Sequence, residues 1–320
     1  MNKLAVVFGG SGFLGRQVVR ELCRRGWRVR VAVRRAHQAI DLRVEGDVGQ
    51  VQLVQCNIRS EASIANAMNG AQLVINTVGI LYESGKQKFD ELHSEGAARI
   101  AQAATALGVQ QLVHVSALGA SEQSASKYAR SKAKGETAVL KAFPNATILR
   151  PSVLFGSGDG LFERFAGMLC LTPVVLLPMA DTKLQPVFVG DVAAAILAAI
   201  QNLDSAGAIY ELGGPQTFTL GQIVETTAGW IERKRVVIGL PNIAAKAMGV
   251  VGDIVGAVPF VTPPITSDQV RLLATDNIVS DNALGFAELG INHLETVEAN
   301  VPVYLERFRK YGQFHQKPAT

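Results

Sequence analysis

An apolar run, Leu4–Phe8, leads without a spacer into Gly9-Gly10-Ser11-Gly12-Phe13-Leu14-Gly15, and helical periodicity follows over Phe13–Arg25. Few features constrain a chain more. Glycines at 9, 12 and 15 allow a tight turn, close approach of the backbone to a diphosphate, and close seating of the helix on the strand. The helix start adds unsatisfied N–H groups and the positive end of its dipole. The strand–turn–helix context predicts a phosphate-binding loop made by Gly9, Ser11, Gly12, Phe13, Leu14 and Gly15.

The first half of the chain keeps this rhythm. Arg28–Val33, Gln52–Gln55, Leu73–Asn76, Leu112–Ser116 and Thr147–Arg150 read as strands. Ile64–Met68, Phe89–Leu107 and Ser126–Phe143 read as helices. Such alternation predicts an α/β fold, a Rossmann doubly wound parallel sheet with helices on both faces. After Arg150 the rhythm breaks at Pro151, Pro173, Pro178 and Pro186. It returns as a helix at Val192–Asn202 and a strand at Ile209–Leu212. The expected organisation is a nucleotide-binding core over 1–152, with 186–215 returning to it, and a smaller C-terminal α/β lobe over 153–320. The stretch 241–264, charged only at Lys246 and Asp253, is expected to be helical, as part of the smaller lobe or as a docking surface.

The end of the second strand selects the cofactor. An NAD-type site carries an acid there for the adenosine ribose 2′-hydroxyl. Here Val33-Arg34-Arg35 is followed by no acid until Asp41. Guanidinium groups grip a 2′-phosphate bidentately, and Arg16 stands within reach just beyond the last glycine. The expectation is NADP(H) rather than NAD(H), with solvation an equal alternative for Arg35. Arg16, Arg20 and Arg24 form a like-charged stripe that weakens a helix slightly. It reads as a solvated face or as a contact for an anionic partner.

Charge is uneven along the chain. Residues 1–35 hold nine Lys and Arg against one acid, Glu21, while the remainder holds 22 basic and 26 acidic residues. Interleaved aromatics and known nucleic-acid modules are missing, which argues against nucleic acid as the partner. Cofactor phosphates, an acidic partner or an anionic membrane surface fit better. Cys23, Cys56 and Cys170 are far apart and form no Cys/His cluster, so they read as reduced buried thiols and no metal site is expected. No apolar run reaches about twenty residues, so no transmembrane helix is expected. The start of the chain shows no signal-peptide pattern. A cytoplasmic location follows, with peripheral membrane association as an option.

Tyr128 and Lys132 form Y-x-x-x-K on one face of a predicted helix. An ammonium beside a phenol lowers the phenol's pKa and readies it for proton exchange. Ser116 ends the preceding strand, placed to hydrogen-bond a substrate oxygen or to bond locally.

Together these residues resemble the extended or atypical short-chain dehydrogenase/reductases, which include NAD-dependent epimerases and dehydratases. The resemblance rests on the glycine loop, Asn76-Thr77-Val78-Gly79, His114-Val115-Ser116, Tyr128 with Lys132, and Arg150-Pro151-Ser152, and spans residues 4–215. It implies catalytic roles for Ser116, Tyr128 and Lys132. It also implies cofactor contacts from Val78, Gly79, Tyr128, Lys132, Pro151, Ser152 and Val153. Asn57 takes the place where an acid often meets the adenine. A narrower resemblance, in VFGGSGFLG, HSEGAARIAQAA, HVSALGA, SKYARSKAKGE, ILRPSVLFG and QPVFVGDVA, is to the NDUFA9-type accessory subunits of respiratory complex I. It implies a bound NADPH without turnover and quinone-module subunits as partners. Extended reductases carry Asn-x-x-Gly before the fifth strand, whereas this chain has His93-Ser94-Glu95-Gly96, which implies a weakened proton relay. Three functions stay open: a binding-only subunit, a free NADP-dependent reductase, epimerase or dehydratase, and a redox-sensing regulator that binds NADP(H) and a protein partner without chemistry.

Overall fold

The computed structural model describes residues 3–256, 263 and 265–312. They fall into two compact units. The first holds the described residues up to Pro151, then Val189–Leu212 and Ser280–Asn292; the second holds Ser152–Phe188 and the described residues of 213–279 and 293–312.

The first unit is built on a parallel sheet of seven strands: β1 (Leu4–Phe8), β2 (Arg28–Val33), β3 (Val51–Gln55), β4 (Leu73–Asn76), β5 (Gln111–Val115), β6 (Thr147–Pro151) and β7 (Ile209–Leu212). Their order is β3-β2-β1-β4-β5-β6-β7, and every neighbouring pair is parallel. This is the doubly wound order expected of a Rossmann fold. Each strand lies within one residue of its sequence-predicted bounds. Strands buried on both faces read as unbroken apolar runs, and in β1 the side chains of Ala5 to Phe8 are inaccessible to solvent.

Helix α1 (Phe13–Arg24) buries Leu14, Val18 and Leu22 on one stripe and packs against α5 (Val189–Gln201). Helices α2 (Glu61–Met68), α3 (Gly96–Ala106) and α4 (Lys127–Ala142) share one core. There Ile64, Met68, Ile100, Ala104 and Val139 meet Val6, Phe8, Val74, Leu112 and Ile148 from the sheet. The single helix expected over 89–107 is wound differently at its start. Asp90–Glu95 forms a wider π-type turn that buries Leu92 and His93, and regular winding begins at Gly96. The alanines of α3 let α4 come close. At the contact, a Cβ on Gly135 would collide with the His93 carbonyl oxygen.

An ion network ties α4 to the sheet edge. The Arg150 guanidinium donates to both carboxylate oxygens of Glu136, at 2.9 and 2.6 Å, and to Glu211 at 3.4 Å. Glu211 in turn accepts the Ser280 N–H at 3.0 Å, and its own N–H donates to the Leu284 carbonyl at 2.8 Å. These bonds hold segment 280–292 in the first unit.

The second unit contains three two-stranded pairings, Leu154–Phe155 with Val187–Phe188, Lys183–Leu184 with Phe218–Thr219, and Val174–Pro178 with Val236–Leu240. Its core gathers Phe155, Phe162, Leu169, Ile223, Val224 and Val301. The buried Asp159 carboxylate accepts the Leu161 and Glu163 N–H groups at 3.1 and 3.0 Å and the Tyr304 hydroxyl at 2.6 Å. The apolar stretch 241–264 is helical over Asn242–Gly256; residues 257–262 and 264 lie outside the described residues. Ile243, Val250, Val251 and Ile254 are exposed on that helix. Among the described residues no helix is long and apolar enough to cross a membrane.

The contact of α4 with the π-type turn yields a direct test. Gly135→Ala overpacks it and is expected to lower stability by about 1–3 kcal/mol, measured by urea unfolding. Gly229→Ala, where an added Cβ meets nothing within 4 Å, serves as the control and is expected to be neutral or stabilising by roughly 0.5–1 kcal/mol.

Candidate functional site

In a doubly wound sheet, ligands bind outside the carboxyl ends of the strands where the order reverses. Here β1 and β4 are the neighbours at that point, and their ends deliver Gly9 and Thr77-Val78-Gly79. Gly9 has φ +79°, and a Cβ on it would stand 2.9 Å from the Thr77 carbonyl carbon. A Cβ on Gly15 would strike the Gly9 carbonyl oxygen, so α1 sits directly on the turn. The N-cap of α1 is Gly12, which offers no side-chain cap, and the first turn carries no acid. The positive end of the helix is left open to a phosphate. Ser11 is exposed and Phe13 partly buried; the Leu14 side chain is core, so Leu14 can approach a ligand only through its backbone.

A groove runs from Gly9, Ser11 and Gly12 past Val78 and Gly79, with Ile58 and Arg59 on its wall. Two adjoining pockets extend it: one lined by Arg34, Asn57, Arg59 and Ser63, the other by Ser11, Arg16, Arg34, Arg35 and Gln38. Cradle, open helix end and basic pocket together fit an elongated dinucleotide. The arginines of the α1 stripe are each paired: Arg16 with Asp41, Arg20 with Glu45, Arg24 with Glu21. Arg34 and Arg35 are exposed and have no carboxylate partner among the described residues. Asn57 shapes its own loop, accepting the Arg59 N–H at 3.1 Å and donating its N–H to Ser63 Oγ at 3.0 Å. Gln38, Arg59, Ile80 and Gln87 also line these spaces and were missed by sequence reasoning. They lie on connections where no periodic pattern marks them.

Gly79 links the groove to the Tyr–Lys pair. Its Cβ position lies 3.5 Å from Lys132 Nζ and 4.0 Å from His93 Nε2. The Lys132 ammonium donates to the Val115 carbonyl at 3.2 Å, one residue before Ser116. Burial lowers Lys132 to about 8, against an opposing pull from Glu136. The lowered phenol pKa expected of Tyr128 is not found. Burial raises it to about 12. Ser116 Oγ is buried with no hydrogen-bond partner among the described residues, as is His114 Nε2.

His93 is locked in place. Its Nε2 accepts the Ile80 N–H at 3.0 Å. Since a backbone N–H can only donate, the proton of the neutral ring sits on Nδ1, facing Ser131 Oγ at 2.9 Å. Ser131 passes its own hydrogen to the Tyr128 carbonyl at 2.8 Å. The ring stacks on Phe89 at 5.5 Å and meets Tyr128 edge-on at 5.4 Å. Burial first, then Lys132 and His114, push its pKa down to about 2. His114 falls to about 3 through burial and Lys132; its Nδ1 accepts from Asn76 at 3.0 Å.

Pro151 ends β6, and its carbonyl accepts the Leu118 N–H at 2.9 Å. Ser152 and Val153 fall in the second unit and are engaged there: Ser152 Oγ donates to Asn277 Oδ1 at 2.7 Å, and the Val153 carbonyl accepts the Val187 N–H at 3.0 Å.

Comparison with known proteins agrees with this geometry. The NAD(P)H-binding family matches residues 9–165 and the RmlD substrate binding domain family residues 120–227. The crystal structure of gox2253 superposes with a TM-score of 0.75 at 21% identity over 98% of this chain and 100% of that one. UDP-glucose 4-epimerase from Thermotoga maritima gives 0.69 at 16% over 96% and 99%. At such identities the structures speak for the fold alone. The molecule is therefore a Rossmann-fold protein with an NAD(P)H-binding domain.

A closer relation lies in the sequence. NADH dehydrogenase [ubiquinone] 1 alpha subcomplex subunit 9, mitochondrial, of Arabidopsis thaliana is 39% identical over 298 residues, 90% of this chain and 74% of that protein. The chain belongs to the family of that subunit, the NDUFA9 type. Ceramide reductase of Caulobacter vibrioides is 35% identical over 205 residues, 61% of this chain and 60% of that protein.

The two histidines make stability pH-dependent. Both bind protons more weakly in the native state than at the ordinary value of 6.5. As pH falls below 6.5 the unfolded chain takes up protons that the native site refuses. Stability is therefore lost toward acid and regained above that value. Replacing His93 with Asn removes one such proton. The slope of unfolding free energy between about pH 6 and pH 4 is expected to become shallower by roughly 1.4 kcal/mol per pH unit, read from urea titrations. Equal slopes would mean that native His93 titrates freely.

Proposed function

We propose that this chain is an NADP(H)-binding accessory subunit of an NADH:quinone oxidoreductase of the complex I type, holding its dinucleotide for structure or regulation. The observation that carries this reading is the 39% identity, over 90% of the chain, to alpha subcomplex subunit 9. The site supports it. His93 stands where a proton relay needs an exchangeable group, yet both its ring nitrogens are engaged and its pKa lies near 2. Tyr128 is raised, not lowered. Tyr128 and Lys132 then serve to hold the nicotinamide ribose.

The glycine loop would take the pyrophosphate and Arg34 with Arg35 the 2′-phosphate, which favours NADP(H) over NAD(H). Val78, Gly79 and Asn57 are proposed to contact the cofactor, as are Pro151, Ser152 and Val153. The exposed apolar side chains of Asn242–Gly256 suit docking on a partner subunit of the quinone module. Attachment is then peripheral, on the cytoplasmic face of an inner membrane, without a span of the chain's own.

A second reading, an NADP-dependent reductase, is favoured by one cluster. Ser116 Oγ lies buried and unpaired next to the Val115 carbonyl that holds Lys132, and Tyr128 lies one turn before Lys132 on α4. In that reading Ser116 would hydrogen-bond a carbonyl oxygen and Tyr128 would deliver the proton to it, with hydride the chemistry that a bound dinucleotide would supply.

Two measurements test these readings. A tagged chain extracted with mild detergent is expected to bring down quinone-module subunits. Purification as a free soluble protein that oxidises NADPH with a carbonyl substrate would establish the reductase instead. Arg34→Glu is expected to weaken NADPH at least ~10-fold through loss of a charge-assisted contact, with NADH affinity within about twofold by the same reasoning. Unchanged NADPH affinity would remove Arg34 from the phosphate site.

A further inference from the structure

The segment between β4 and the π-type turn, residues 80–88, is not a slack loop. At its base the Ile80 N–H donates to the buried, neutral His93. At its tip Ser84 and Gln87 exchange backbone hydrogen bonds, at 3.1 and 2.8 Å, and close a small turn. At its far end Glu83 Oε1 accepts the Phe89 N–H at 3.0 Å, and Lys88 lies 3.8 Å from the same carboxylate. The fourth tether crosses the groove wall: the Arg59 guanidinium, from the loop after β3, donates to the Lys86 carbonyl. Arg59 is held for this by Asn57, which accepts its N–H, and by Glu91, 3.9 Å from its Nε. Ile80, Gln87 and Arg59 all line the groove that begins at the glycine loop.

From this geometry we infer that Arg59 and segment 80–88 form a clasp over the dinucleotide groove, and that the clasp sets how fast the dinucleotide leaves. Two connections from different strand ends, β3 and β4, meet over one groove, and one charge-assisted hydrogen bond joins them. A ligand beneath that junction leaves only when the junction opens. The opening barrier then acts on release and leaves the intrinsic fit of the site unchanged. His93 gains a role here that proton transfer does not give it. It is the fixed hinge of the strap, neutral at physiological pH and so never released by protonation. The inference rests on the reading that the groove binds NADP(H).

The experiment is a stopped-flow chase. Protein loaded with NADPH is mixed with excess NADP⁺, and release is followed by nicotinamide fluorescence. Wild type must first bind NADPH; without binding, the proposed function itself fails. Arg59→Ala is expected to release NADPH roughly 10-fold faster or more, the effect of losing one hydrogen bond from a charged donor. Its association rate should stay within about threefold, since such losses fall mostly on dissociation. Because Arg59 also faces the groove, a second variant separates clasp from contact. Glu83→Ala loosens the strap at a residue that does not line the groove, and is expected to speed release several-fold by the same argument. Acceleration in both variants supports the clasp. Acceleration in Arg59→Ala alone makes Arg59 a direct ligand and overturns it. Release within about twofold of wild type in both variants also overturns it, while leaving dinucleotide binding intact.

Discussion

Helix α1 rests on the carbonyl oxygen of Gly9 with no side chain between them, and the ligand groove is a consequence of that seating. Any Cβ at residue 15 would lift the helix off the turn. With the helix lifted, its first-turn N–H groups would no longer point along the end of β1. The same seating lets Leu14, Val18 and Leu22 reach the sheet, so one contact serves both the core and the phosphate site. A loop that must bring backbone to a diphosphate has no room for side chains. The spacing is therefore an instruction for packing as much as for binding.

The chemistry around Lys132 follows from a second packing fact, the approach of α4 to the π-type turn at Gly135. That approach buries Lys132, His93 and His114 in one neighbourhood. Three groups able to carry positive charge cannot all do so at low dielectric. The lysine keeps its proton because Glu136 lies one turn away, and both histidines yield theirs. Each neutral ring then becomes a fixed hydrogen-bonding group: His93 joins Ile80 to Ser131, and His114 accepts from Asn76. Tyr128 and Lys132 thus sit in a setting that favours rigidity over proton exchange.

Much of this was legible in the sequence, and the physical reasons differ by element. Fully buried parallel strands such as Leu73–Asn76 announce themselves because both faces must be apolar. The glycine loop was legible because each glycine of its spacing answers a definite steric demand of the turn. The π-type turn at Asp90–Glu95 was not, because its residues suit ordinary helical winding and only the packing on α4 selects the wider turn. The pairing of Arg16 with Asp41 and Arg20 with Glu45 was hidden for another reason. Residues 36–45 carry no periodicity, yet they lie along α1 and supply its stripe with carboxylates. Nor does any local pattern reveal that 280–292 belongs with the first unit; that depends on Glu211 meeting the Ser280 N–H across 69 residues.

The distribution of arginine partners sharpens the electrostatic argument about the ligand. Nine cations in the first 35 residues suggest a broad positive field. The fold cancels much of it. Arg16, Arg20 and Arg24 each meet a carboxylate, and Arg30 spends its guanidinium on the Ala67 and Asn69 carbonyls at the end of α2. Among the cations left without a carboxylate in the described residues, Arg34 and Arg35 stand at the end of β2 beside the groove. Pairing along α1 and at the end of α2 thus leaves two exposed guanidinium groups beside the groove at that strand end.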